Sequence, residues 1–163
     1  MATVDVSNGI NAGTHPSRAI RKEPYKVEFD LNLATATTTK GSALASADVL
    51  QVIDIPAKTM VWAAGLEVVT PNDGDFQIDI GTGADPDAFA DNFDCDGTST
   101  GDMTSIPAAY APLIVSADDT IDVVIGPTVG SADPTSGVWR VFAVMQDVSD
   151  DLGPDEVDRD QLA

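Results

Sequence analysis

The chain has 163 residues, 43% of them hydrophobic, and sets 27 acidic side chains against 8 basic ones for a formal charge of −19. That length and apolar content fit one domain with a real core, whereas the charge excludes surfaces for nucleic acid or anionic lipid, which need clustered Lys and Arg. No apolar run approaches the roughly 20 residues of a membrane span, and the start, MATVDVSNGINAG, has neither the basic head nor the apolar core of a signal peptide, so synthesis in a cytosol without export by the usual route is expected.

Nearly all the acid is aspartate; only Glu23, Glu28, Glu67 and Glu156 are glutamate. Aspartate favours turns over helix interiors, and with abundant Thr, Val, Gly and Pro it predicts strands joined by turns. Residues 1–23 lack hydrophobic periodicity and hold Arg18, Ile20, Arg21 and Lys22, with Lys26 just beyond. This predicts an extended, cationic N-terminal arm. Order begins at YKVEFDLNL, where Val27, Phe29, Leu31 and Leu33 alternate with Glu28, Asp30 and Asn32, the period of a half-buried strand. TATTTKGSALASA, residues 35–47, reads as a loop or weak edge strand. DVLQVIDIP and MVWAAGLEVVT carry apolar side chains on both faces, as strands covered twice do. PNDGD at 71–75 is a turn, and FQIDI directs Phe76, Ile78 and Ile80 inward. A polar loop then runs to about residue 105.

APLIVSA and TIDVVIG are the next strands, the second with Ile121, Val123 and Ile125 on one face. GPTVGSADPTSG is a long turn. GVWRVFAVMQDV is the last strand, with Val138, Phe142 and Val144 on one face and Trp139, Val141, Ala143 and Met145 on the other. Residues 148–163 form an acidic tail, read either as a short helix from Pro154 or as a mobile end. Together these elements predict an all-β protein: an antiparallel β-sandwich over residues 24–147, preferably a jelly roll, between the arm and the tail.

The stretch DPDAFADNFDCDG, residues 85–97, raises the question of a metal site. Asn92, Asp94, Asp96 and Gly97 match the first positions of an EF-hand loop, but Met103 stands where the bidentate Glu belongs and no flanking helices are expected. Turn chemistry explains the acids individually. Asp85-Pro86-Asp87 suits the start of one helical turn with Phe89 packed inward, and Asp96-Gly97 is a turn pair. No metal and no cofactor is expected, with a calcium site of another kind, built from converging oxygens of this loop, as the alternative. Cys95 is the single cysteine, so no intrachain disulfide exists, and its aspartate neighbours disfavour the thiolate. The single histidine, His15, lies in the arm with nothing to fix its geometry. GxSxG, P-loop, HExxH and CxxC motifs are missing, and DIGTG at 79–83 departs from an aspartic-protease DTG at Ile80. The chain is read as a non-enzyme without a small-molecule substrate. Trp62 and Trp139 sit in the most hydrophobic strands, where core or subunit interface is expected.

ADVLQVIDIPAKTMVWAAGLEVVT, DFQIDIGTGADPDAF, ADDTIDVVIG and GVWRVFAVMQDV together resemble the capsid cement, or decoration, proteins of tailed bacteriophages, over about residues 24–147. The resemblance implies a β-sandwich that sits on the outer surface of a virion against the major capsid protein, commonly as a homotrimer, after assembly in the host cytoplasm. The arm lies outside the resemblance; its basic charge makes Arg18, Ile20, Arg21 and Lys22, with Lys26, candidate capsid or subunit contacts, beside Trp62 and Trp139 in the apolar strands. A β-sandwich module for glycan adhesion, with or without calcium, is the alternative from another functional class.

Overall fold

The computed structural model describes residues 3–5, 23–105, 112–128 and 134–149. Nine strands and one helix follow in order: β1 Thr3–Asp5, β2 Tyr25–Asn32, α1 Leu33–Lys40, β3 Val49–Ile55, β4 Thr59–Thr70, β5 Phe76–Gly81, β6 Ala90–Asp94, β7 Leu113–Val115, β8 Asp119–Thr128 and β9 Val138–Asp147. They form a five-stranded sheet in the order β1-β3-β8-β5-β6 and a four-stranded sheet in the order β2-β9-β4-β7. The protein is an all-β sandwich, as the alternating runs predicted.

The pairing is nested. β2 pairs β9, β3 pairs β8, β4 pairs β7 and β5 pairs β6, all antiparallel. From β2 to β9 every connection except β5–β6 crosses from one sheet to the other. The chain is therefore one long hairpin rolled up so that its two arms share a core. Val27, Leu31, Val61, Leu66, Val68, Trp139, Val141 and Met145 from the four-stranded sheet meet Leu50, Ile55, Phe76, Ile78, Ile80, Ile121, Val123 and Ile125 from the other, all nearly or wholly excluded from solvent.

The structure departs from the sequence reading in four places. Residues 33–40 are helical, where the end of a strand at Leu33 and then a loop or weak edge strand from residue 35 were expected. Asn32 caps α1 by accepting from the Thr35 amide at 3.1 Å, and Gly41, in the left-handed region at φ 81°, closes it by donating to the Thr37 and Thr38 carbonyls. Those caps, with Leu33 and Ala36 buried one turn apart, outweigh the poor helix propensity of four threonines. Second, β1 falls inside the expected arm and pairs parallel with β3, Val4 opposite Leu50, so the sheet is not wholly antiparallel. Third, β6 lies in the expected polar loop. Fourth, Asp85–Ala88 makes a tight turn rather than a helix, with the Thr82 and Ala88 amides donating to the Asp85 carbonyl at 2.8 and 3.4 Å. This turn presses on β5 so closely that a Cβ at Gly81 would lie 2.0 Å from the Asp85 carbonyl oxygen. Phe89 is buried, as expected.

β-bulges account for the runs that looked apolar on both faces. A register shift between Gln51 and Ile53 brings both Val52 and Ile53 inside, and another between Val61 and Ala63 resets β4 at Trp62.

Candidate interaction surface

The outward face of β2-β9-β4-β7 can be read row by row from the strand register. Gln146 lies opposite Met60, and Met60 opposite Ile114. Val144 lies between Lys26 and Ala63, Phe142 between Glu28 and Gly65, and Arg140 between Asp30 and Glu67. The large hydrophobic residues most open to solvent among the described ones are Trp62 at 42%, Met103 at 54% and Ile114 at 56%. Trp62 and Ile114 both belong to this face, with Met60 of β4 opposite Ile114 and Val144 of β9 on the other side of β4. Residues of this kind, aromatic, Met and Ile with Arg at the rim, mark contact surfaces.

The polar groups of the face are fixed. Trp62 Nε1 donates to Gln146 Oε1 at 2.9 Å, which holds the indole against the sheet. Arg140 Nε donates to Asp30 at 2.9 Å, and its other end reaches Glu67 at 3.6 Å. Asp30's hydrogen bond and charge push the Arg140 guanidinium still higher than its ordinary range. Lys26 pairs with Glu28 and lies 5.4 Å from the Phe142 ring centroid. The Phe142 ring crosses over Gly65, where a Cβ would meet its Cζ at 2.9 Å, so a flat apolar floor needs glycine there. One flank is closed by residues 101–104, whose backbone pairs with Leu66 and Val68.

At the same end of the sandwich, where the β3–β4 and β7–β8 turns meet the five-stranded sheet, the surface is acidic. Gln51, Asp54, Ile55, Pro56, Asp118, Asp119 and Thr120 line an open cleft of about 400 Å³. Beside it Asp122 is 4% exposed. Burial pushes its carboxyl up to about 6, against the Thr120 hydroxyl that donates to it at 2.5 Å, and the charge of Asp119 adds to the rise. A raised folded pKa means that ionised Asp122 opposes folding, so stability falls as pH climbs from about 4 through 6. Asp122→Asn should therefore raise stability by about 2 kcal/mol at pH 7.5 and leave it unchanged at pH 3.5. Urea midpoints at the two pH values check this; equal midpoints for wild type and variant at pH 7.5 would refute it.

In the aspartate-rich stretch the side chains serve the backbone. Asp94 accepts from the Asp96 amide at 2.9 Å, and Asp79 accepts from the Asn92 amide at 2.7 Å. Close approach of Asp87 pushes the Asp85 carboxyl up. Burial, helped by the charge of Asp94, pushes the Cys95 thiol up to about 12. Among the described residues no three His, Cys, Asp or Glu side chains are grouped so as to hold a metal ion.

The contact candidates read from the sequence separate. Arg18, Ile20, Arg21 and Lys22 lie outside the described residues. Lys26 and Trp62 share the face just described. Trp139, also counted as a contact, is 0% exposed and points into the sandwich on the opposite side of β9, so it serves the core. Met60, Phe142, Val144 and Ile114 complete the patch; of these only Phe142 and Val144 were separated from the core-facing residues by alternation.

No protein-family model and no curated protein sequence matches the chain. Among solved structures, a chain in the capsid of Ralstonia phage GP4 is similar at 15% identity and TM-score 0.57, covering 91% of this chain and 100% of that one. Chains in the cyanophage Pam1 capsid asymmetric unit and in the acid-stable capsid of Helicobacter pylori bacteriophage KHP30 match at 13% and 12% identity with TM-scores of 0.49 and 0.48. These two cover 76% and 75% of this chain and 83% and 85% of theirs. The Ralstonia phage comparison, spanning the whole of the matched chain, shows what this sequence folds into: the same all-β sandwich.

Proposed function

We propose that the chain is a structural virion protein of a tailed phage, a jelly roll that decorates the outer capsid surface by binding the major capsid protein, and that it self-associates, as a homotrimer. The observation that carries this reading is the fold shared, over 91% of this chain, with a chain of the Ralstonia phage GP4 capsid. The sequence resemblance to decoration proteins supports it, as does the rolled-up pairing of β2 to β9, which is the order of an eight-strand jelly roll. A sandwich with one apolar outer face and no assembled catalytic group among the described residues suits a protein whose work is contact. Glycan adhesion, the other reading, would use Trp62 as a sugar platform. The indole is tied to Gln146 and flanked by Met60 and Ile114, which offer a hydroxyl-rich ligand no polar partners.

In this reading the basic residues Arg18, Arg21 and Lys22 meet carboxylates of the shell or of a sister subunit, with Ile20 as an apolar anchor. Arg18→Glu with Arg21→Glu should lower occupancy on co-sedimented capsids at least tenfold at low salt, with the defect shrinking as salt rises. The melting temperature should not change. Full occupancy by the double variant would remove these residues from the interface, and failure of the native protein to co-sediment with particles would sink the capsid reading itself.

A further inference from the structure

We infer that the Trp62–Ile114 patch on the outer face of β2-β9-β4-β7 is where one copy of this chain packs against another. The inference rests on the self-association part of the function proposed above and names its surface. Its first support is the patch: Met60, Trp62, Val144, Phe142 and Ile114 are contiguous by strand register and face away from the core. Trp62 is held in place by Gln146 before any partner arrives, so little side-chain freedom remains to be lost on contact.

Charge selects the occupant. Two copies each carrying −19 repel wherever their aspartates face one another. Four basic side chains occur among the described residues, and two of them, Lys26 and Arg140, lie on this face, each paired with a local carboxylate. Asp30, Glu28 and Glu67 are thereby nearly neutralised, and the centre of the patch holds no charge at all. The opposite sheet and its loops instead present Asp54, Asp85, Asp87 and Asp91, while Asp118 and Asp119 stand at the border between the two, beside Ile114. Like-charged copies can therefore approach on the Trp62 face at far lower electrostatic cost than on the other sheet. A strongly cationic partner would find its complement on that other sheet.

Contact of this kind has a salt signature. Apolar packing between like-charged molecules tightens as screening increases, whereas assembly through ion pairs loosens. Light scattering of the full chain should give a mass three times the 16.9 kDa of one chain at micromolar concentration. The population of that species should rise between 0.05 and about 0.5 M NaCl, a range that shortens the Debye length to a few ångströms. Trp62→Glu with Ile114→Glu should weaken association at least 100-fold while the far-UV circular dichroism stays native. Ser42→Glu, at an exposed position in the loop after α1, adds charge away from the patch and should leave association intact. Should the double variant fail to fold, hydrogen exchange on the unmodified protein decides: protection of Met60–Ala63 and Leu113–Val115 must increase with protein concentration. A double variant that associates like wild type, or exchange at these segments that ignores concentration, overturns the assignment. A native chain that stays monomeric throughout removes self-association altogether, whereas an intact oligomer that ignores capsids sinks the virion reading alone.

Discussion

Trp139→Ala should cost about 3–5 kcal/mol of unfolding free energy. Trp139 is the largest fully buried side chain among the described residues, and it sits at the start of β9 between Leu31 of β2 and Val68 of β4. Its ring meets Phe76 of the facing sheet at 5.7 Å and 39°. Alanine removes a large aromatic side chain packed between the sheets, and strands hydrogen-bonded on both sides cannot close over the void. Trp139→Phe should cost much less, under about 2 kcal/mol. It keeps an aromatic contact and also removes the indole N–H, a buried donor with no hydrogen-bond partner in the structure. Urea unfolding of both variants tests the ordering; equal losses would mean that packing around the ring is not what the site depends on.

The second large effect concerns the ion pair that ties α1 to β3. Lys40 Nζ and Asp48 Oδ2 are bonded with side chains only 12% and 4% exposed. The same Asp48 oxygen accepts from the Ala45 amide at 2.8 Å, and Lys40 also reaches the Ala43 carbonyl at 2.6 Å. The Asp48 carbonyl in turn accepts from Ile125 of β8. Lys40→Met leaves the carboxylate buried without its counter-charge and should cost about 3–5 kcal/mol. Lys40→Met combined with Asp48→Asn should recover most of that loss, since a neutral amide still accepts from Ala45 and needs no cation. Thermal melts of the single and double variants at neutral pH decide. A double variant as unstable as Lys40→Met alone would show that the two side chains act separately.

Much of the sandwich was legible because its strands obey a period of two. β2, β5 and β9 alternate buried and half-exposed residues along almost their whole length. The helix was not legible from propensity, since LATATTTK is a poor helical sequence. The available signal was punctuation: Asn32 before it, Gly41 after it, and Leu33 and Ala36 three apart. β6 escaped because ADNFD reads as loop grammar. It is a short strand at the sheet's edge whose acids face water, which is also how an edge avoids pairing with strangers. β1 is three residues long and owes its pairing to a neighbour some 45 positions away, so nothing local announces it.

The candidate surface was hidden by a parity error. Counting by twos from Val68 through Leu66 and Ala64 places Trp62 inside, yet the bulge at Val61–Ala63 turns the indole outward. The same bulge let Trp62 and Trp139 look alike in sequence although one faces solvent and the other the core. Arg140 was legible as the one positive charge of its strand, but its partners, Asp30 and Glu67, come from two different strands and appear only with the register.

The rolled hairpin also sets the timetable of folding. β2 is among the first strands synthesised, but its partner is β9: Asp30 must wait for Arg140, 110 residues later, roughly 5–20 s at ordinary rates of translation. Until then the edge of β2 has no partner and half the core has no lid, so the nascent chain cannot complete its tertiary structure one segment at a time. Pairings this remote also place the fold among the slow two-state topologies, in milliseconds to seconds once the chain is complete. During that wait the dense negative charge acquires a second use, holding exposed strands of neighbouring nascent chains apart until the last strand arrives.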